Sequence, residues 1–232
     1  MNRRSVLAHF SRIVLGGLAA GVSLSCGPAM AQASISPVTA SNAPLMLVVG
    51  DSLSAEYGLS RGTGWVALME KRLRRENVPA RIVNASISGD TTSGGRSRLP
   101  ALLAQHRPAL VIVELGGNDA LRGLPLALTR DNLTAMTRAA QAAGATVVLA
   151  GMQLPPNYGR TYGEGFAKLY ADIASKEKAA LVPFLLRGVG DVANAESYFQ
   201  SDRIHPNQSA QPILMANVWP VVVPLLMPSK RK

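Results

Sequence analysis

The chain has 232 residues, 47% of them hydrophobic and 5% aromatic, with a formal net charge of +10. That length carries one α/β domain with a full core, and the apolar share excludes general disorder. So few aromatic residues leave little stacking surface for single-stranded nucleic acid.

Residues 1–31 read as an export signal. Arg3, Arg4 and Arg12 form its basic start, Ile13–Leu24 its apolar, Gly/Ala-rich core, and Ala29-Met30-Ala31 a small-x-small cleavage site before Gln32. The apolar core is too short for a comfortable transmembrane span, so no stable span is expected. A periplasmic destination follows, with secretion as an alternative. The Arg3-Arg4 pair also suits a twin-arginine route. A lipid anchor on Cys26 is a further alternative, although Ser23 stands three residues before it where a leucine would be expected. Cys26 is the only cysteine. Cleavage after Ala31 leaves a chain without disulfide or cysteine-zinc chemistry. It also takes three arginines and no acid from the formal +10, leaving +7.

Residues 32–44, rich in Ser, Pro, Ala and Thr, read as a flexible leader. From Leu45 the pattern turns regular. Leu45–Val49 predicts a strand buried on both faces. Trp65, Leu68, Met69 and Leu73 lie on one helical stripe. Lys71, Arg72, Arg74 and Arg75 share that helix with Glu70 and Glu76, and read as a solvated face in preference to a nucleic-acid patch. Arg81–Ala85 predicts a second strand, Leu99, Leu102 and Leu103 a helix ending near His106 before Pro108, and Ala109–Leu115 the strongest strand. Leu133, Met136 and Ala140 mark a helix closed by Gly144. Thr146–Ala150 predicts a strand, Phe166, Leu169, Tyr170 and Ile173 a helix, and Leu181–Leu186 an edge strand carrying Pro183. A last helix starts near Gln208, with its end left open by Pro220 and Pro224. Five alternations predict a flavodoxin-like, three-layer α/β/α domain over 45–228, built on a five-stranded parallel sheet. Residues 229–232 form a basic tail.

Ligands of such sheets bind beyond the carboxyl ends of the strands. Four polar clusters fall there: Gly50-Asp51-Ser52, Ser86–Asp90, Gly116–Asp119 and Asp202–Pro206. A serine hydroxyl needs a base, and the imidazole of His205 can serve. Asp202, three residues earlier, can hold that imidazole in one tautomer. Gly89 allows close backbone approach, Asn118 offers a side-chain amide, and the Ser52 N–H is a third donor for an oxyanion. Each residue also has a plainer reading: Ser52 as a helix cap, Gly89 in a turn, Asn118, Asp90 and Asp119 as loop braces, His106 at a helix end. A Gly-x-Ser-x-Gly elbow and the Gly-rich phosphate loops are absent.

At these residues the chain resembles the SGNH, or GDSL, hydrolases. "GDSLS", "NASISGDTT", "VELGGND" and "DRIHPN" match the four blocks of that family in order. The resemblance implies Ser52 as nucleophile, Gly89 and Asn118 as oxyanion donors beside the Ser52 backbone, and Asp202 and His205 as acid and base. It extends from about Leu45 to Met227 and is nearest the bacterial thioesterase I, lysophospholipase L1 and arylesterase branch. It implies hydrolysis of acyl or aryl esters and thioesters, lipid among them, through an acyl-enzyme, without metal or cofactor. "LPPNYGRTYGEGF" resembles the substrate loop of that branch, which puts Leu154, Tyr158 and Tyr162 near the substrate. Glu56 stands where relatives often have glycine, at the expected mouth of the pocket. A carbohydrate O-deacetylase of the same superfamily and a non-catalytic binding module are the competing readings.

Overall fold

All six residues of β1 (Leu45–Gly50) are buried, which is why the run carries no polar side chain. The computed structural model describes residues 43–227. The expected export signal, nearly all of the leader and the basic tail lie outside the described residues. After β1 come α1 (Trp65–Arg75), β2 (Arg81–Asn84), α2 (Thr92–His106), β3 (Leu110–Glu114), α3 (Gly117–Leu121), α4 (Leu126–Ala142), β4 (Thr146–Ala150), α5 (Arg160–Glu177), β5 (Ala180–Val182) and α6 (Gln211–Leu226).

The five strands form one sheet in the order β2-β1-β3-β4-β5, and every neighbouring pair is parallel. The two most buried strands lie at its centre, paired from Met46↔Leu110 to Gly50↔Glu114. α1 packs against α6, while α4 packs against both α2 and α5. The sheet is therefore sandwiched between two helical layers, as expected for a parallel α/β domain. All strand ends that carry the polar clusters point to one edge, and the order reverses at β1 and β3. That is the switch point where such sheets bind ligands.

Three elements differ from the sequence expectation. β5 is only Ala180–Val182, because Pro183 has no N–H to continue the ladder; it lies at the sheet edge. A five-residue helix, α3, opens directly after β3 behind Gly116, whose φ of 119° requires glycine. α6 continues through Pro220 and Pro224 to Leu226. Its inward row of Leu214, Val218, Val222 and Leu226 is buried at four-residue spacing, and this burial offsets the lost backbone bonds. The segment Gln208–Leu226 is long and apolar enough to cross a membrane, but that buried row marks it as a core helix.

Candidate active site

β1 ends against β3, and the site begins where they meet. A Cβ on Gly50 would come within 2.7 Å of Glu114 Oε2 and 2.8 Å of Ser54 Oγ, so only glycine fits. The chain then turns: the Ser54 and Ala55 N–H groups both donate to Asp51 O. No helix starts here, since α1 begins at Trp65; the cap reading of Ser52 therefore falls away. The Ser52 hydroxyl instead meets His205 Nε2 at 2.9 Å. On the other side of the ring, His205 Nδ1 lies 2.7 Å from Asp202 Oδ2. Two residues 153 positions apart in the chain are thus hydrogen-bonded.

Asp202 is fixed by its own turn. Its Oδ1 accepts the N–H groups of Ile204 and His205, at 2.9 and 3.0 Å, and Arg203 between them takes a positive φ of 57°. These backbone bonds, first that from His205, hold the Asp202 carboxyl down at about 2. His205 is steadied from two further directions. Its carbonyl accepts Gln200 N–H at 2.8 Å, and the Tyr57 ring lies 4.3 Å from its ring, centroid to centroid. Gln200 also donates to Tyr57 O and Pro206 O, tying the loop after Ser52 to the loop of His205. A Cβ on Gly58 would collide with that Gln200 side chain. Tyr57 and Gln200 carry no motif, and sequence reasoning did not find them.

The oxyanion candidates sit on the neighbouring loops. Ile87 N–H donates to Gly50 O at 3.0 Å, extending the sheet contact beyond β2 and bringing Gly89 beside the β1 end. Gly89 has a φ of 79°, a backbone shape that glycine supplies. Among the described residues neither the Gly89 N–H nor the Ser52 N–H donates a hydrogen bond. Asn118, in the first turn of α3, donates to Asp51 Oδ2 at 3.0 Å and to Asp90 O at 2.9 Å. Both of its amide hydrogens are engaged, so an oxyanion would share or replace one of these acceptors. Asp51 orients Asn118 while its Oδ1 accepts Leu53 N–H. Burial pushes its carboxyl up to about 6. Asp90 and Asp119 are braces, Asp90 paired with Arg98 at 2.8 Å and Asp119 accepting the N–H and hydroxyl of Thr92.

Ser52 and His205 open into a cavity of about 640 Å³, in the size range of small-molecule sites. Its walls are largely apolar, with Leu53, Leu121, Met152, Leu154, Phe184 and Phe199 among them. Leu154 lines the same cavity as Ser52 and His205. Tyr158 and Tyr162 are not part of this wall. Tyr162 lies on α5, where its hydroxyl donates to Leu124 O at 2.7 Å and braces the segment after α3. Glu56 also turns away from the cavity. Its carboxylate accepts the N–H groups of Gly62 and Gly64 at 2.9 and 2.8 Å, and its φ of 59° is one that glycine adopts more easily. Among the described residues no three His, Cys, Asp or Glu side chains gather as a metal-ligand set.

A half-buried serine hydrogen-bonded to a carboxylate-held imidazole, at the switch point of a parallel sheet, defines the serine-hydrolase class. Residues 48–211 match the model of the GDSL-like lipase/acylhydrolase family, and the chain belongs to that family. It is 56% identical to esterase TesA of Pseudomonas aeruginosa over 184 residues, 79% of this chain and 90% of that protein. It is 42% identical to thioesterase 1/protease 1/lysophospholipase L1 of Escherichia coli K12 over 175 residues, 75% of this chain and 81% of that one. The crystal structure of TesA superimposes with a TM-score of 0.75 at 56% identity, covering 78% of this chain and 99% of that chain. The protein is an ester hydrolase of the SGNH type.

Proposed function

We propose that Ser52 is the nucleophile of a two-step acyl transfer to water. The observation that carries this reading is the unbroken line Ser52 Oγ, His205 Nε2, His205 Nδ1, Asp202 Oδ2, with bonds of 2.9 and 2.7 Å. As Ser52 Oγ bonds to the ester carbon, its proton passes to His205 Nε2, and the Asp202 carboxylate balances the imidazolium. The carbonyl oxygen takes up the electron pair and is held by the N–H groups of Ser52 and Gly89 and by the Asn118 amide. His205 then protonates the leaving alcohol or thiol, and the acyl group stays on Ser52. Water then bonds to the acyl carbon and gives one proton to His205; the bond from that carbon to Ser52 Oγ breaks, His205 returns the proton to Oγ, and the acid leaves.

The apolar walls around Leu53, Leu154 and Phe199 suit the acyl or aryl portion of a substrate. They cover the apolar part of acyl and aryl esters or thioesters, whereas the hydroxyls of an acetylated carbohydrate would have to find Gln153, Asp191, Glu196 or Arg203 on the same lining. Export to the periplasm, expected from residues 1–31, would bring the enzyme to esters of the cell envelope.

Ser52→Ala tests the reading. With the fold intact by circular dichroism, its kcat on an aryl ester should fall by roughly 10⁴–10⁶, and labelling by a fluorophosphonate should vanish. Near-normal turnover or unchanged labelling would remove Ser52 from the mechanism. Rates on short aryl esters, long acyl thioesters and acetylated sugars, compared side by side, separate the substrate classes. Fastest turnover of the sugars would transfer the assignment to a deacetylase.

A further inference from the structure

Surface helices of a globular domain turn charged residues to solvent. α5 does so, with Lys168 and Asp172 paired at 2.7 Å on its outer side, and α1 with its C-cap residue Glu76 carries four cations and two acids. α6 does not. From Gln208 to Met227 the chain has no charged residue. The inner row of α6 fills the core, as described above. Its outer row repeats every four residues as Pro212, Ala216, Pro220 and Pro224, all exposed. Leu225 and Met227 extend that surface at 40% and 50% exposure. The catalytic cavity does not account for this face, because none of its lining residues comes from α6.

The neighbouring helix gives the face its charge. α1 packs along α6, and the Arg72 guanidinium lies over the Trp219 ring, 4.0 Å from its centroid. Lys71, Arg74 and Arg75 are exposed beside it. Glu70 and Glu76 pair with Arg74 and Arg72, so α1 keeps an excess of two positive charges. Past the end of α6 the sequence adds Lys230, Arg231 and Lys232.

We infer that α6 lays its outer face on an anionic lipid surface, with the cations of α1 at the headgroups. An uncharged helical face flanked by cations is the pattern of a helix lying in the membrane interface. The prolines set the depth. Pro220 and Pro224 have no N–H to give the carbonyls of Ala216 and Pro220. Those oxygens would be unsatisfied in hydrocarbon but find donors among headgroups and water. A second copy of the chain is a poorer occupant. A two-fold contact through α6 would bring the α1 cations of both copies to one interface, and like charges oppose it. α6 starts six residues after His205, so docking holds the catalytic cavity beside the lipid. The docking itself stands apart from the assignment of Ser52.

Flotation with vesicles tests it. Full-length wild type is compared with Ala216→Glu/Leu225→Glu and, separately, with Lys71→Glu/Arg75→Glu, so the N-terminal segment is common to all three. The vesicles are phosphatidylcholine, with or without about a third of phosphatidylglycerol. Wild type should float with the anionic vesicles, release at high salt, and leave the neutral ones largely unbound. Each variant should bind about tenfold more weakly or less, with an unchanged circular dichroism spectrum and unchanged rates on a soluble aryl ester. The α1 variant leaves α6 untouched and carries the test should the α6 variant fail to fold. A folded variant that floats like wild type would overturn the proposal, as would wild type that ignores anionic vesicles. A wild-type dimer that Ala216→Glu/Leu225→Glu splits, without vesicle binding, would assign the face to self-association instead.

Discussion

Asp51 and Glu114 face each other across the paired ends of β1 and β3, and together they set the surroundings of Ser52. Glu114 is fully buried. Burial first, then the neighbouring Asp51 charge, pushes its carboxyl well above the ordinary range. Both causes favour its neutral form. Its Oε2 accepts the Ser54 hydroxyl at 2.7 Å and Asp51 N–H at 3.3 Å. Ser54 Oγ in turn accepts Trp65 Nε1–H, so a chain of hydrogen bonds runs from the core to Asp51 and on to Asn118. An amide, which is neutral and nearly the same shape, can take its place here. Glu114→Gln should stay within about 1 kcal/mol of wild type in urea denaturation at pH 7, whereas Glu114→Ala, which strands the Ser54 hydroxyl and opens a cavity, should lose about 2–4 kcal/mol. Equal losses in the two variants would mean that Glu114 is charged. Asp202 works in the other direction. It is half exposed and held at about 2 by backbone N–H groups, so its charge is constant from pH 4 upward. Asp202→Asn should leave the loop folded, since an amide oxygen can still accept those N–H groups, but should lower kcat by as much as about 10⁴. A loss confined to KM would deny Asp202 a part in the reaction.

Among the elements, α6 shows best what hydrophobic periodicity can and cannot predict. Its start was legible, but Pro220 and Pro224 hid its length, because a proline is read from local backbone chemistry while the helix is held by tertiary burial. Both prolines face outward, where their rings meet no neighbouring element. Pro220→Ala should restore the bond to Ala216 O and raise stability by roughly 1–3 kcal/mol, seen as a higher Tm. Leu214→Ala, on the buried row, should cost about 2–5 kcal/mol. A lower Tm for Pro220→Ala would show that the helix is bent to fit its proline. The other misses have similar causes. α3 has five residues, too short to show a period. β5 ends at Val182 because Pro183 stops the ladder, while Leu185 and Leu186 stay buried beyond the strand and mimic its pattern. The long runs, β1, β3 and β4, were legible because strands covered on both faces admit little but Val, Leu and Ile.

At the scale of the whole molecule, four polar clusters could be assigned to one edge because a parallel sheet brings all its strand ends together. Ser52, Gly89, Asn118, Asp202 and His205 were therefore legible as a set. The bonds that hold them were not: Asp51 to Asn118, Gln200 to Tyr57 O, and Glu56 to Gly62 and Gly64 depend on side-chain directions that no spacing reveals. Asp51 is the hidden contact with a global consequence. Its carboxyl moves from the ordinary 3.8 to about 6 on folding, first through burial, with Asp90 adding to the rise and Asn118 and His205 opposing it. Between these values the folded chain binds more protons than the unfolded chain, so acidification across this window stabilises the fold. Asp202 opposes this only toward the acid edge of the window, where its unfolded carboxyl, near 3.8, takes up a proton that the folded one does not. The rise of about two units corresponds to at most about 3 kcal/mol from Asp51 itself. Activity should run the other way. Below about 6, Asp51 loses the negative charge that attracts the Asn118 amide, and the proposed oxyanion donor loses its anchor. Urea denaturation at pH 7 and pH 4.5 of wild type and Asp51→Asn, set beside kcat profiles, checks both halves. Wild type should gain on the variant by about 1–3 kcal/mol at the acid end, with the variant slower at pH 7. A stability difference independent of pH would place the Asp51 charge in solvent and remove the buried pair from the account of Ser52.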